Sequence, residues 1–220
     1  MFSIQQFHQQ YQTEERELVI AERPFRFLVP QRLEPFLDET DLFREFPLWT
    51  KIWEASLLLA HRVAAVPPDK DIHWLELGAG AGVVGVVAAA FQHRITITEH
   101  DPHALDFIHA NLHINGCRPV AVHRLDWERP DMTERFDRII GSELIYNENH
   151  FPALSGLFKS LLKPGGEILL ASEVRQSNRT FLDSMTADFH IEITRNTLRS
   201  GTTRVHLLLM RLRPKASATG

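Results

Sequence analysis

The chain has 220 residues, of which 44% are hydrophobic and 24% charged, and its formal net charge is −4. These values fit one globular domain with a modest extension, and they argue against a nucleic-acid partner bound by phosphate neutralisation. The one cysteine excludes an internal disulfide and indicates a reducing compartment. Because no apolar run reaches the roughly 20 residues of a bilayer span and no secretion signal begins the chain, we expect a cytoplasmic protein without a membrane partner.

Residues 1–48 are polar and interrupted by prolines, and they predict a small N-terminal extension that covers the substrate side of the protein. Within this extension, residues 17–30 alternate in polarity and predict a short hairpin. From Trp49 to Val63 apolar residues instead recur at helical spacing, which predicts a helix that ends at Pro67-Pro68.

From residue 72 onward, short apolar runs alternate with helical patterns. The predicted strands are 72–77, 95–99, 120–123, 136–142, 167–172, 189–195 and 203–211, and the predicted helices are 83–91, 103–115, 150–163 and 178–186. The first five strands, each followed by a helix, predict parallel pairing. A short polar stretch joins the last two, which predicts an antiparallel hairpin. The fold class is therefore α/β, a doubly wound, seven-stranded, mostly parallel sheet over residues 49–213, followed by a flexible tail at 214–220.

Three glycines stand at alternate positions after the first of these strands, namely Gly78, Gly80 and Gly82, with Ala79 inside the turn and Glu76 before it. Glycine permits positive φ and lets a ligand approach the backbone. A strand, a glycine turn and a buried helix together hold adenosine-containing cofactors. The spacing is not the G-x-G-x-x-G of dinucleotide binders, and an acidic residue precedes it. It therefore favours a positively charged cofactor without phosphates, S-adenosylmethionine (AdoMet), although Glu76 can instead cap the turn.

Acidic residues also follow the next two predicted strands. We expect Glu99 to accept hydrogen bonds from the ribose hydroxyls, with His100 beside it, because charge-assisted bonds of this kind are strong. Asp101 competes for this role but suits the cap of the following helix better. Asp126 can accept from the adenine amino group while Trp127 packs on the ring. The alternative is a turn aspartate followed by a half-buried tryptophan.

The stretch SELIY, from Ser142 to Tyr146, resembles the D-x-x-Y motif of the seven-strand AdoMet-dependent lysine methyltransferases, known as methyltransferase family 16. Other segments resemble the same family, namely WEASLLLA from Trp53 to Ala60, the pair Asn111 and Asn115, the LDW after the third strand, and LLKPGGEILLASEVR, which ends at Arg175. The resemblance covers roughly residues 49–212 and implies a Rossmann-like fold. Glu143 departs from the family pattern, in which aspartate is commoner.

This resemblance implies methyl transfer to a lysine side chain of a specific cytosolic protein, with S-adenosylhomocysteine as product and no metal. Glu143 would then orient the incoming ammonium, and Tyr146 would border it by a cation–π contact. Trp53 and Ser142 would line the cofactor pocket. The alternative is that Glu143 and Tyr146 only close the pocket.

Two further hypotheses about function stay open at this point. A small-molecule N- or O-methyltransferase is one, because the family borders on such enzymes. A non-catalytic AdoMet-binding subunit is the other. The acidic runs EERE, LDETD and YNENH favour a basic acceptor such as lysine, and the lack of a basic extra domain argues against RNA. The identity of the acceptor and the oligomeric state lie beyond the sequence.

Overall fold

The computed structural model describes residues 2–37, 47–200 and 203–215. Its strands are β1 Thr13–Ile20, β2 Arg23–Pro30, β3 His73–Glu76, β4 Arg94–Glu99, β5 Ala121–Arg124, β6 Phe136–Ser142, β7 Leu162–Glu173, β8 Phe189–Ser200 and β9 Thr203–Pro214. Its α-helices are α1 Ile4–Gln10, α2 Glu54–Ala64, α3 Val83–Ala90, α4 Pro102–Ile114, α5 Phe151–Leu161 and α6 Gln176–Met185. Most of the predicted tail, 214–220, lies outside the described residues.

Seven of these strands form one sheet in the order β5-β4-β3-β6-β7-β9-β8. The first five pair in parallel, and β9 pairs antiparallel with both β7 and β8. The predicted fold class is thus confirmed. Chain order reverses at β3, which has β4 on one side and β6 on the other, and a ligand crevice forms outside the carboxyl ends of strands at such a switch point.

The central strands are buried on both faces, which explains their unbroken apolar runs. Every residue of β3 is buried. Leu75 joins the apolar core that α5 and α6 cover, whereas Trp74 joins the core that α2 and α3 cover. Packing on both faces therefore fixes the position of β3 and of the turn that follows it.

Three details of the predicted elements were wrong. No helix follows the third predicted strand. Residues 125–135, all of which the structure describes, link β5 to β6 as bends and irregular chain. The helix predicted from Trp49 begins only at Glu54. The indole N–H of Trp53 donates to the Leu48 carbonyl at 2.8 Å, which holds the preceding residues in a compact turn. The last two strands are also longer than predicted and leave only residues 201–202, which lie outside the described residues, between them.

The predicted N-terminal hairpin is confirmed as β1 and β2, which pair over their full length. Two asparagines four positions apart attach it to the rest of the protein, Asn111 on α4 and Asn115 directly after it. Asn111 accepts from the Leu28 N–H at 2.7 Å and donates to the carbonyls of Leu28 and Ala81. Asn115 bonds the N–H and the carbonyl of Arg26 in the same way. The hairpin therefore docks on α4 through its backbone.

Among the described residues, none of the helices combines the length and apolarity required to cross a bilayer.

Candidate active site

A cavity of about 700 Å³ opens at the carboxyl ends of β3, β4 and β6. The site residues predicted from sequence that line it are Trp53, Gly78, Ala79, Gly80, Glu99, His100, Asp126, Trp127, Ser142, Glu143 and Tyr146. Glu76 and Gly82 lie outside this lining. The residues come from five separate stretches of chain, and the sheet brings them together because parallel strands end at a common edge.

The glycine turn forms the floor of the cavity. Gly78 and Gly80 both have φ of +57°, a conformation that side chains rarely adopt. A Cβ on Gly78 would come within 2.8 Å of the Leu144 side chain and 3.0 Å of Trp127. The N–H of Ala79 donates to the Thr98 carbonyl at 3.0 Å, which ties the turn to β4. The glycines therefore leave both backbone freedom and space at the carboxyl end of β3.

Gly82 contributes to the turn in a different way. It also has positive φ, at +81°, and immediately precedes α3. Its N–H donates to the Ala79 carbonyl at 2.9 Å, and a Cβ would lie 3.0 Å from Ile108. Its smallness thus permits close packing of the turn against α4.

Glu99 lies at the end of β4 with its carboxylate at the turn. Its Oε2 accepts the Gly80 N–H at 2.8 Å, and its Oε1 accepts the N–H groups of His100 and Asp101 at 2.6 and 3.2 Å. Burial raises the pKa of Glu99, and these three N–H donors oppose that rise. A carboxylate has about four acceptor positions, so about one stays open for a ligand hydroxyl. Asp101 itself caps α4.

Glu76 is 1% exposed and lies beneath the turn. A Cβ on Gly85 would collide with its carboxyl group, and its Oε2 has no hydrogen-bond partner within the described chain. Burial raises the pKa of Glu76 well above its usual value, while the Gly85 N–H lowers it. The geometry fits a packing contact beside α3.

Asp126 and Trp127 also line the cavity, and Trp127 lies against the turn. Asp126 Oδ1 accepts the Glu128 N–H at 2.9 Å, as a turn aspartate does. The Trp127 ring reaches Gly78 and makes an edge contact with His150 at 5.9 Å between centroids. Asp126 and Trp127 thus give the cavity one carboxylate and one indole ring, on which a planar heterocycle could pack.

Glu143 follows β6 in a left-handed conformation, with φ of +55°. Its N–H donates to the Ala171 carbonyl at 2.9 Å, which continues the pairing of β6 with β7. The carboxylate accepts the Glu173 N–H at 2.8 Å and forms an ion pair with Arg175. Strained backbone of this kind clusters at functional sites. The end of β6 therefore presents a carboxylate that its surroundings hold firmly.

Tyr146 lies on the same wall as Glu143 and is 36% exposed. Its ring contacts that of His150 at 6.3 Å between centroids.

The sequence analysis did not identify Lys51, which also lines the cavity. The Lys51 ammonium lies 4.4 Å from the centre of the Trp53 ring. A lysine in an amphipathic pattern gives no sign that it faces a cavity, so no local signal could have identified it.

These features fit an adenosyl group that carries a positive charge. The glycine turn lacks the side chains that would exclude a sugar, and Glu99 keeps acceptor capacity at the neighbouring strand end. Trp127 offers a flat apolar surface beside Gly78. Five acidic residues line the cavity, against one lysine and one arginine, and this excess of negative charge suits a sulfonium better than a pyrophosphate. The acidic residues are Glu99, Asp101, Asp126, Glu128 and Glu143, and the basic ones are Lys51 and Arg175.

Comparisons with known proteins agree with this geometry. A family model described as lysine methyltransferase matches residues 47–188. The protein N-lysine methyltransferase METTL21A of Xenopus tropicalis is 32% identical over 175 residues, which is 74% of this chain and 78% of that protein. EEF1A lysine methyltransferase 3 of Mus musculus is 34% identical over 152 residues, 65% of each chain. A T. thermophilus 16S rRNA methyltransferase in complex with AdoMet and guanosine has a TM-score of 0.64, with 19% identity, over 92% of this chain and 51% of that one, and so shares the fold. The chain therefore belongs to the lysine methyltransferase family and is an AdoMet-dependent methyltransferase.

Proposed function

We propose that this protein transfers a methyl group to the side-chain amine of a lysine in a specific cytoplasmic protein. The observation that carries the proposal is that Glu143 and Tyr146 both line the cavity that contains the glycine turn. The names of the relatives, which are protein N-lysine methyltransferases from frog and mouse, support a protein acceptor.

We propose that the turn from Gly78 to Gly80 and the carboxylate of Glu99 hold the cofactor's sugar, and that Asp126 and Trp127 hold its adenine. When bound, AdoMet supplies an electrophilic methyl group on a sulfonium sulfur. The chain's own contribution is to orient this group and to exclude water around it. Alignment of two reactants in one site can contribute about 7–11 kcal/mol.

A lysine ammonium has to lose a proton before it can attack. Moving from a pKa of ~10.4 to pH 7 costs about 4.6 kcal/mol, at about 1.36 kcal/mol per pH unit. Glu143 would receive the ammonium by a charge-assisted hydrogen bond, and the Tyr146 ring would border it by a cation–π contact. Desolvation beside a positive cofactor lowers the amine pKa, so the proton can leave to water.

We propose that the chain divides into an extension of residues 1–48 and a catalytic domain of 49–213. Of the extension's described residues, only Pro47 and Leu48 line the cavity. Residues 2–37 lie elsewhere, against α2 and α4. The segment next to the domain boundary, rather than the hairpin, would therefore cover the substrate side.

Incubation with tritiated AdoMet and a cell lysate tests the proposal. We expect label on a protein band, and acid hydrolysis should yield methylated lysine. Glu143→Gln tests the role of the carboxylate, because the amide oxygen can still accept the Glu173 N–H while the negative charge is lost. It should bind AdoMet within a few fold of wild type and leave the band unlabelled. Label confined to small molecules would instead support the small-molecule alternative, and label on methylhistidine would contradict a lysine acceptor.

A further inference from the structure

The carboxylate of Glu143 already has a cationic partner within the chain. Arg175 follows β7, and one of its guanidinium nitrogens bonds Glu143 while the other bonds Glu173 at 3.0 Å. The side chain of Glu143 is only 12% exposed and that of Arg175 is 32% exposed. Arg175 also lines the cavity. The acidic residue of the site is therefore half of an ion pair, and it does not stand alone.

The backbone on both sides of this pair is anchored. The N–H of Arg175 donates to Asn178 Oδ1 at 2.8 Å, at the start of α6. The hydroxyl of Ser177 donates to the Ile145 carbonyl at 2.7 Å, which ties α6 to the loop that carries Glu143 and Tyr146. The guanidinium is thus held in register with the carboxylate by contacts that do not involve the pair itself.

A solitary carboxylate next to the acceptor amine would create a chemical problem. An opposite charge within a few ångströms favours the protonated form of an amine and raises its pKa. The ammonium has no lone pair and cannot attack a methyl group. A guanidinium stays charged at all relevant pH values, so Arg175 beside Glu143 offsets this effect while the carboxylate can still accept a hydrogen bond.

We propose that Arg175 is a positioning residue for the methyl transfer, because it holds the Glu143 carboxylate and prevents it from trapping the acceptor amine in its protonated, unreactive form. This inference rests on the proposed lysine acceptor. The ammonium first releases its proton to water. The amine lone pair then forms the N–C bond as the C–S bond breaks, and the electron pair of that bond stays on sulfur.

The pH dependence of turnover tests the inference. The probe is tritiated AdoMet with the lysate fraction that contains the labelled acceptor, assayed from about pH 6.5 to about pH 10, the range over which an amine near the lysine value titrates. In Arg175→Gln, the rising limb of kcat/KM should move to higher pH by about one unit. Activity should fall about tenfold at neutral pH and recover at alkaline pH. Arg175→Lys, which keeps the charge, should restore the wild-type profile.

Arg211→Gln is the matched control, because Arg211 pairs with Glu167 on the same sheet but does not line the cavity. Its pH profile should equal that of wild type. AdoMet affinity, measured by calorimetry, should be unchanged in Arg175→Gln. If that variant melts early, Arg175→Met offers a second neutral side chain.

Two outcomes separate the inference from the proposed function. If wild type labels an acceptor and the neutral variants lose activity equally at every pH, Arg175 is only structural and the inference is wrong. If wild type binds AdoMet but labels no amine acceptor, the proposed function fails and the inference falls with it.

Discussion

The backbone N–H of Gly80 donates to the carboxylate of Glu99 at 2.8 Å. This bond joins the turn after β3 to the end of the neighbouring strand β4. One carboxylate therefore sets the shape of the turn and also faces the cavity. Cofactor affinity should depend on the two residues together.

Replacement of Glu99 by alanine should weaken AdoMet binding. The substitution removes the acceptor for three N–H groups and, in the proposed placement of the cofactor, for a ribose hydroxyl. A charge-assisted hydrogen bond contributes about 1.5–3 kcal/mol, so the dissociation constant measured by calorimetry should rise about 10- to 100-fold. Glu192→Ala, on the surface of β8, should leave it unchanged. Equal affinity in the two variants would contradict the ribose role.

Gly80→Arg should abolish AdoMet binding. The residue has φ of +57°, and a Cβ would lie 3.5 Å from the Trp49 backbone with the longer side chain in the cavity. Gly116→Arg is a matched control, because Gly116 has φ of +62° and its Cβ would meet no described atom within 4 Å. It introduces similar backbone strain outside the cavity and should bind AdoMet normally. Retained binding in Gly80→Arg would refute this placement of the cofactor.

The Tyr146 ring should matter more than its hydroxyl. A cation–π contact contributes about 0.5–2 kcal/mol, so Tyr146→Ala should raise the KM for the acceptor about tenfold, whereas Tyr146→Phe should stay within about threefold, since it keeps the ring. Steady-state kinetics with the labelled acceptor distinguishes the two. A Phe variant as impaired as the Ala variant would show that the hydroxyl carries the role.

Glu76→Gln should stabilise the protein at neutral pH. Because burial raises the folded-state pKa of Glu76, the proton-linked stability is fully present below the unfolded pKa of about 4.5. It is lost as pH rises through the folded-state pKa. The glutamine variant stays neutral and lacks this loss. Urea unfolding should show a gain over wild type that grows as the pH rises above about 4.5. A gain that does not change with pH would contradict the raised pKa.

Asn111→Ala should weaken the attachment of the N-terminal hairpin. Asn111 is fully buried, and its loss leaves the N–H and carbonyl of Leu28 and the carbonyl of Ala81 without their partner. Since an unsatisfied buried group costs about 1–3 kcal/mol, we expect a loss of about 3 kcal/mol and a Tm lower by about 6–12 °C. Asn115→Ala should cost less, because water can replace its more exposed bonds. If Asn111→Ala and Asn115→Ala melted at the same temperature, this role of Asn111 in attaching the hairpin would be wrong.

Local patterns in the sequence were sufficient for much of this protein. The period of the apolar residues predicts strands and helices, and a parallel sheet necessarily brings strand ends to one edge. Gly78, Gly80, Glu99 and Glu143 each lie at or just after the end of a predicted strand, so their convergence on one cavity could be inferred from the sequence. The lengths of β8 and β9 could not be predicted. The polar residues after position 195 are typical of a loop, and only the tertiary structure shows that residues 196–200 pair with β9.

Tertiary structure alone decided the partners of the charged groups. Glu143 and Arg175 lie 32 positions apart, and they meet because Ser142 pairs with Ala171 in the register of β6 with β7. That register depends on packing across the whole sheet and leaves no local trace. The same holds for Glu76, whose burial and raised pKa follow from the packing of α3 against its carboxyl group. Spacing along the chain determines which residues reach an edge, whereas packing determines which charge each of them faces there.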